Sequence, residues 1–172
     1  FVGFSAGYRN TTGVYNTFIG RFSGRKSLTG EFNTFIGDSS GLSNLTGTGN
    51  TFVGFNAGFG NTTGLNNVCI GKNSGYTNIS GTCNILIGNE SGYTQGTASG
   101  NTFIGFHAGY LNTDSQNTFI GYLTGRKKTS GHNNTFIGYQ AGYNGVSGEN
   151  CTIIGHQAGY NNKASENFFL GK

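Results

Sequence analysis

A glycine that follows two apolar residues returns every 17 residues along this chain, at Gly3, Gly20, Gly37, Gly54, Gly71, Gly88, Gly105, Gly121, Gly138, Gly155 and Gly171, with two steps shortened to 16. A strict period is the strongest constraint a sequence can place on a fold, because each copy must then make the same structure and stack on its neighbour. A second glycine follows each anchor four residues later, from Gly7, Gly24 and Gly41 through to Gly159. A third usually lies six residues further on, at Gly13, Gly30, Gly47, Gly64, Gly81, Gly131 and Gly148. The two short steps hold "NTDSQN" and "NNKASEN", which lack that third glycine. The deletion therefore falls in one turn, where loops tolerate changes of length.

A period of 17 is too short for paired-helix repeats, which need about 33–47 residues. Composition argues the same way. With 33 glycines, and Phe and β-branched residues in the apolar slots, the chain is a poor helix former. The expected fold is all-β: a parallel β-solenoid or β-roll of about ten coils of 16–17 residues, forming one array over residues 1–172. Each coil is expected to hold a short strand at "NTFIG", a glycine turn, a second extended piece near "AGY" and a polar return. Stacked at the inter-strand spacing of about 4.8 Å, ten coils make a rod roughly 50 Å long.

Reading down the columns assigns roles. The residue two before the anchor is Phe in eight of eleven copies, otherwise Cys69, Leu86 or Ile153, and the residue just before the anchor is Ile, Val or Leu. The paired positions Phe18/Ile19, Phe35/Ile36, Phe52/Val53, Phe103/Ile104, Phe119/Ile120 and Phe136/Ile137 are the candidate core and interface. Neighbours in a strand point to opposite faces, so both faces of this strand call for burial. A single narrow coil offers one interior. The other face is expected to meet copies of the same chain in a symmetric oligomer. A small residue precedes each second glycine, as Ala6, Ser23, Ser40 and Ala57 do, which suggests close backbone approach. Asn opens nearly every strand, from Asn16 to Asn134, and predicts amide ladders from coil to coil. Aromatics after the second glycine (Tyr8, Phe59, Tyr76, Tyr93, Tyr110, Tyr143 and Tyr160) predict a second stack.

Little in the chain reads as chemistry. The six acids occupy scattered phases and give no recurrent carboxylate pair. His107, His132 and His156 show no metal spacing, and three cysteines at irregular spacing make no disulfide framework. The expectation is a non-enzyme with no catalytic residue, metal or cofactor. A net charge of +4 gives no expectation of a nucleic-acid partner, and no apolar run reaches the 18–20 residues of a membrane helix. Basic residues gather twice at matching phase, Arg21/Arg25/Lys26 and Arg126/Lys127/Lys128, as a candidate surface for a glycan or a host-cell surface. Asn-x-Ser/Thr triplets at Asn10, Asn44, Asn61, Asn78, Asn89, Asn133 and Asn150 mark formal glycosylation acceptors.

The glycine phase, the apolar pair and the small residue, as in Phe18-Ile19-Gly20 with Ser23-Gly24, resemble the head-domain repeats of trimeric autotransporter adhesins and the repeats of related bacterial and phage fibre proteins. The likeness runs along the whole chain, although the period here is longer than in those heads. It implies a trimeric β-roll serving as a shaft or adhesive surface of an extracellular, cell-surface or virion tail fibre. Two alternatives accompany it: a filament subunit that polymerises end to end, and an ice-binding solenoid using the Thr17, Thr34 and Thr51 column.

Overall fold

The computed structural model describes residues 1–145 and 147–171. Ten three-residue strands follow one another in sequence and in space: β1 (Thr17–Ile19), β2 (Thr34–Ile36), β3 (Thr51–Val53), β4 (Val68–Ile70), β5 (Ile85–Ile87), β6 (Thr102–Ile104), β7 (Thr118–Ile120), β8 (Thr135–Ile137), β9 (Thr152–Ile154) and β10 (Phe168–Leu170). They form a single parallel sheet in the order β1 to β10. Register is exact by column, with Phe18 opposite Phe35, Phe35 opposite Phe52 and Ile19 opposite Ile36. The fold is thus the parallel β-solenoid that the period predicts.

Strands β1 to β9 each send their middle residue inward, while Phe169 of β10 is 39% exposed. Phe18, Phe35, Phe52, Cys69, Leu86, Phe103, Phe119 and Ile153 are completely buried. The rings stack from coil to coil, with centroids 4.9 Å apart for Phe18–Phe35 and for Phe35–Phe52, and 4.7 Å for Phe103–Phe119. Burying such a side chain contributes about 1.5–3 kcal/mol, and an aromatic pair adds about 0.5–1.5 kcal/mol. The second glycine makes room for the ring: a Cβ on Gly41 would lie 2.6 Å from the Phe35 side chain. Gly41 is also left-handed, with φ 57°, so both sterics and backbone select glycine there.

Opposite the rings the interior is polar. Backbone N–H of Asn50 donates to Asn33 Oδ1 (3.0 Å), that of Asn67 to Asn50 Oδ1 (2.9 Å), and that of Asn84 to Asn67 Oδ1 (3.0 Å). Each Nδ2 then reaches one coil on: Asn33 to Gly47 O (2.8 Å), Asn50 to Gly64 O (2.8 Å) and Asn67 to Gly81 O (2.7 Å). The Asn column therefore supplies an acceptor and a donor where the return segment would otherwise bury unpaired backbone groups, which answers the requirement that buried polar groups be paired. A second column runs beside it, where Asn61 Nδ2 donates to Asn44 Oδ1 and Asn78 Nδ2 to Asn61 Oδ1. Among the described residues, the buried side-chain atoms without a protein partner (on Asn10, Ser27, Asn78, Gln95 and Asn112) all belong to this second column.

One local expectation is corrected. The stretch near "AGY" is a turn, not a second strand. The residue two after the anchor is left-handed without being glycine, as at Ser39 (φ 56°), Asn56 (φ 54°), Asn73 (φ 54°) and Gln140 (φ 54°). That conformation points its N–H back to the preceding coil: Ser39 N donates to Arg21 O and Asn56 N to Asp38 O. Coil-to-coil bonding continues around the turn without extended backbone, through Gly24 N to Ser40 O, Lys26 N to Leu42 O and Leu28 N to Leu45 O. The small column lies inside this turn. Ala57, Ala108 and Ala141 are buried, and the hydroxyls of Ser23 and Ser40 donate to Phe35 O and Phe52 O.

Candidate functional surfaces

The outward face of the sheet carries two columns. Ile19 is 40% exposed, Ile70 37% and Ile104 36%, and the Thr or aliphatic residue two positions earlier in each strand points the same way. The inward member of every candidate pair, Phe18, Phe35, Phe52, Phe103, Phe119 or Phe136, is in the core. The outward member, Ile19, Ile36, Val53, Ile104, Ile120 or Ile137, lies on a continuous half-open apolar stripe.

The basic residues divide three ways. Arg21 Nε lies 2.8 Å from Asp38 Oδ2, so its charge is paired on the surface. The Asp38 carboxyl is held below the usual carboxylate range by the Ser39 hydroxyl and by Arg21. Arg25, Lys26 and Lys127 are exposed and Arg126 is half-buried. Lys128 departs from the surface cluster: it is completely buried. Its phase is that of the second Asn column, and Gly145, at the same phase one coil on, has no side chain to fill the interior. The amine donates to Ser130 O and Gly148 O. Burial pushes it down to about 8. Position in the coil, not neighbours in the chain, decides which way a residue faces, and Lys128 is removed from any surface-binding set.

Two basic residues absent from the sequence-based clusters join them in space. Arg9 lies with Tyr8, Arg25 and Lys26 around a depression of about 270 Å³. Lys163 lies with Lys127, Asn144 and Asn161 around one of about 490 Å³. Both sit at the phase of Lys26 or close to it, so the column reading held the signal one residue at a time. Between the two depressions runs the aromatic stack expected from the repeat: Phe59–Tyr76, Tyr76–Tyr93 and Tyr93–Tyr110, with centroids 5.0, 5.0 and 5.1 Å apart. Where Arg126 replaces the next aromatic, its guanidinium lies 5.2 Å from the Tyr110 ring centroid and continues the stack. A further exposed stack, Phe106–Tyr122–Tyr139–His156, follows the first residue after the anchor.

His107 joins two coils. Its Nε2 is 3.0 Å from Glu90 Oε2, and Arg126 Nε donates to its Nδ1 at 3.2 Å. An accepting Nδ1 makes this the Nε2–H tautomer, a neutral imidazole. Burial lowers its pKa, against the pull of Glu90. Among the described residues no group of three His, Cys, Asp or Glu is placed to hold a metal, and no helix is long and apolar enough to cross a membrane. Cys69 is a buried core residue whose thiol is pushed up by burial. Of the formal glycosylation acceptors, Asn44, Asn61 and Asn78 are buried within the coil, out of reach of an enzyme acting on the folded chain. Compared with known proteins, the chain matches no family model, no curated protein and no solved structure.

Proposed function

We propose that this chain is a non-enzymatic structural segment of an extracellular, cell-surface or virion fibre, assembled side by side as a homotrimer. The outward Ile/Val column carries the proposal. It is a long, regular, half-open apolar stripe on a parallel sheet, and such a stripe left in water invites uncontrolled association. Three copies arranged around it bury it under closed symmetry. The repetitive interior, built from stacked Phe and Asn, suits a rod whose task is to hold distance and shape. An adhesive role would fall to the variable side chains at the turns.

Small-angle scattering of the purified chain tests the arrangement. Lateral trimers keep the length of one array, roughly 50 Å at the strand spacing, and widen the cross-section. End-to-end filaments keep the cross-section and lengthen. A particle with the dimensions of a single coil stack would defeat both readings. An ice-binding role draws on the outward Thr column, but Val68, Ile85 and Phe168 interrupt that column. A thermal-hysteresis measurement decides it.

A further inference from the structure

We propose that one corner of the solenoid is a rail for an extended polyanionic glycan lying along the rod axis. The corner is formed by the residues five and six after each anchor glycine, joined at one end by Lys163, eight after Gly155, and it has three parts in line. At one end Arg9, Arg25 and Lys26 surround their depression with Tyr8. At the other, Lys127 and Lys163 surround theirs with Asn144 and Asn161, while Arg126 reaches back over Tyr110. Lys26 and Lys127 hold the same phase six coils apart, roughly 29 Å at the strand spacing. None of the six acids lies at either phase; the carboxylate that reaches the row, Glu90 beside Tyr93, is held 3.0 Å from His107 Nε2. The cations at the far end are also positioned: Arg126 packs over Tyr110 and Lys127 over Tyr143, which lowers the entropy lost on binding.

The middle of the rail selects the chemistry of the partner. Tyr76, Tyr93 and Tyr110 are stacked face to face, with planes within 5° for Tyr76–Tyr93 and 20° for Tyr93–Tyr110. Their faces are already occupied by one another, so unstacked bases find no platform of the kind that single-strand binders offer. What remains at the surface is a row of ring edges and phenol hydroxyls at about the pitch of the coils. That row suits a hydroxyl-rich sugar chain. The fit is therefore to a linear glycan with carboxylate or sulfate groups that reach both basic ends. The inference concerns a single chain and does not depend on the trimer.

The test is titration of the 172-residue chain with size-graded polygalacturonate and heparin fragments, with dextran and poly-dT as controls. Fragments long enough to span the two clusters should bind at least tenfold more tightly than shorter ones, because the second contact becomes intramolecular. Binding should weaken as salt is raised. The R25Q/K26Q variant should lose the length dependence and keep short-fragment binding at the far end, and K127Q/K163Q should do the converse. All four side chains are exposed, and far-UV circular dichroism and thermal melting confirm that the variants fold. Binding of heparin but not polygalacturonate assigns the anion as sulfate, whereas binding of polygalacturonate shows that carboxylates suffice. The proposal is overturned by absence of binding to both, by equal binding of dextran, by tighter binding of poly-dT, by affinity without a length step, or by charge variants that bind undiminished.

Discussion

Replacing Asn67 with alanine removes one rung of the buried ladder while leaving the strand and the Phe stack intact. Asn67 is completely buried. Its Oδ1 accepts from the backbone N–H and the side chain of Asn84, and its Nδ2 donates to Gly81 O and Asn50 Oδ1. Not all of these groups are stranded by the change. Asn84 Nδ2 keeps Ala98 O, Gly81 O keeps the Asn78 side chain, and Asn50 Oδ1 keeps the Asn67 backbone N–H. The Asn84 backbone N–H loses its acceptor. Leaving a buried donor unpaired costs about 1–3 kcal/mol, and the other lost bonds add about 0.5–1.5 kcal/mol each, so a destabilisation of at least about 3 kcal/mol is expected. In a chain of this size that is a fall of roughly 6–12 °C in the melting midpoint. Denaturant titration should show a lower midpoint with an unchanged slope. Thr63→Ala, at an exposed return position, is the reference and should change stability by less than about 0.5 kcal/mol. Asn67→Asp adds a discriminating arm. Its ionised carboxylate faces Gly81 O where an amide donated, so it should be worse than alanine at neutral pH. Burial raises that carboxyl's folded pKa, so stability should recover as pH falls and the protonated acid donates again. If Asn67→Ala costs no more than Thr63→Ala, or if Asn67→Asp shows no pH dependence beyond the unmodified chain, the ladder does not support the fold as argued.

Two further outcomes follow from the same geometry. Gly71→Ala places a methyl 2.6 Å from Gly88 O at a φ of 128°, so circular dichroism should show loss of the folded array or a destabilisation above about 3 kcal/mol. Lys128→Met should stabilise the chain at pH 7 by about 2–3 kcal/mol, because burial lowers the amine to about 8 from the usual 10.5. The sign is set by the depressed value: below pH 8 the folded state carries the buried charge, and the penalty is relieved as pH rises from 8 to 10.5. Stability of the unmodified chain should therefore gain on the Met variant over that window, as measured by paired denaturant titrations.

The period, the glycine phase and the Phe column were legible because they repeat in most coils and each has a single steric reason. The Asn ladder was legible for the same reason. The turn was not. Asn56 tolerates a left-handed backbone by its own chemistry, but Ser39 and Gln140 at the same phase do not favour it, and coil-to-coil bonding holds them there. Lys128 was misread because a run of three cations looks like surface in one dimension. Its phase, aligned with Asn112 across a shortened step, was the better guide. Glu90 and His107 are one period apart, so their pairing could have been read from the column spacing. The place of Arg126 beside His107 depends on how the turn closes, and that was not written in any one column.

In the proposed assembly, copies of the chain cover the outward apolar column. Multi-angle light scattering after size exclusion measures this directly, on the native chain and on Ile70→Asp/Ile104→Asp, which puts charge on the stripe without touching the core. Three times the 18.1 kDa chain mass is predicted for the native protein, with collapse to single chains in the variant. A native mass equal to one chain, with the variant unchanged, would contradict it.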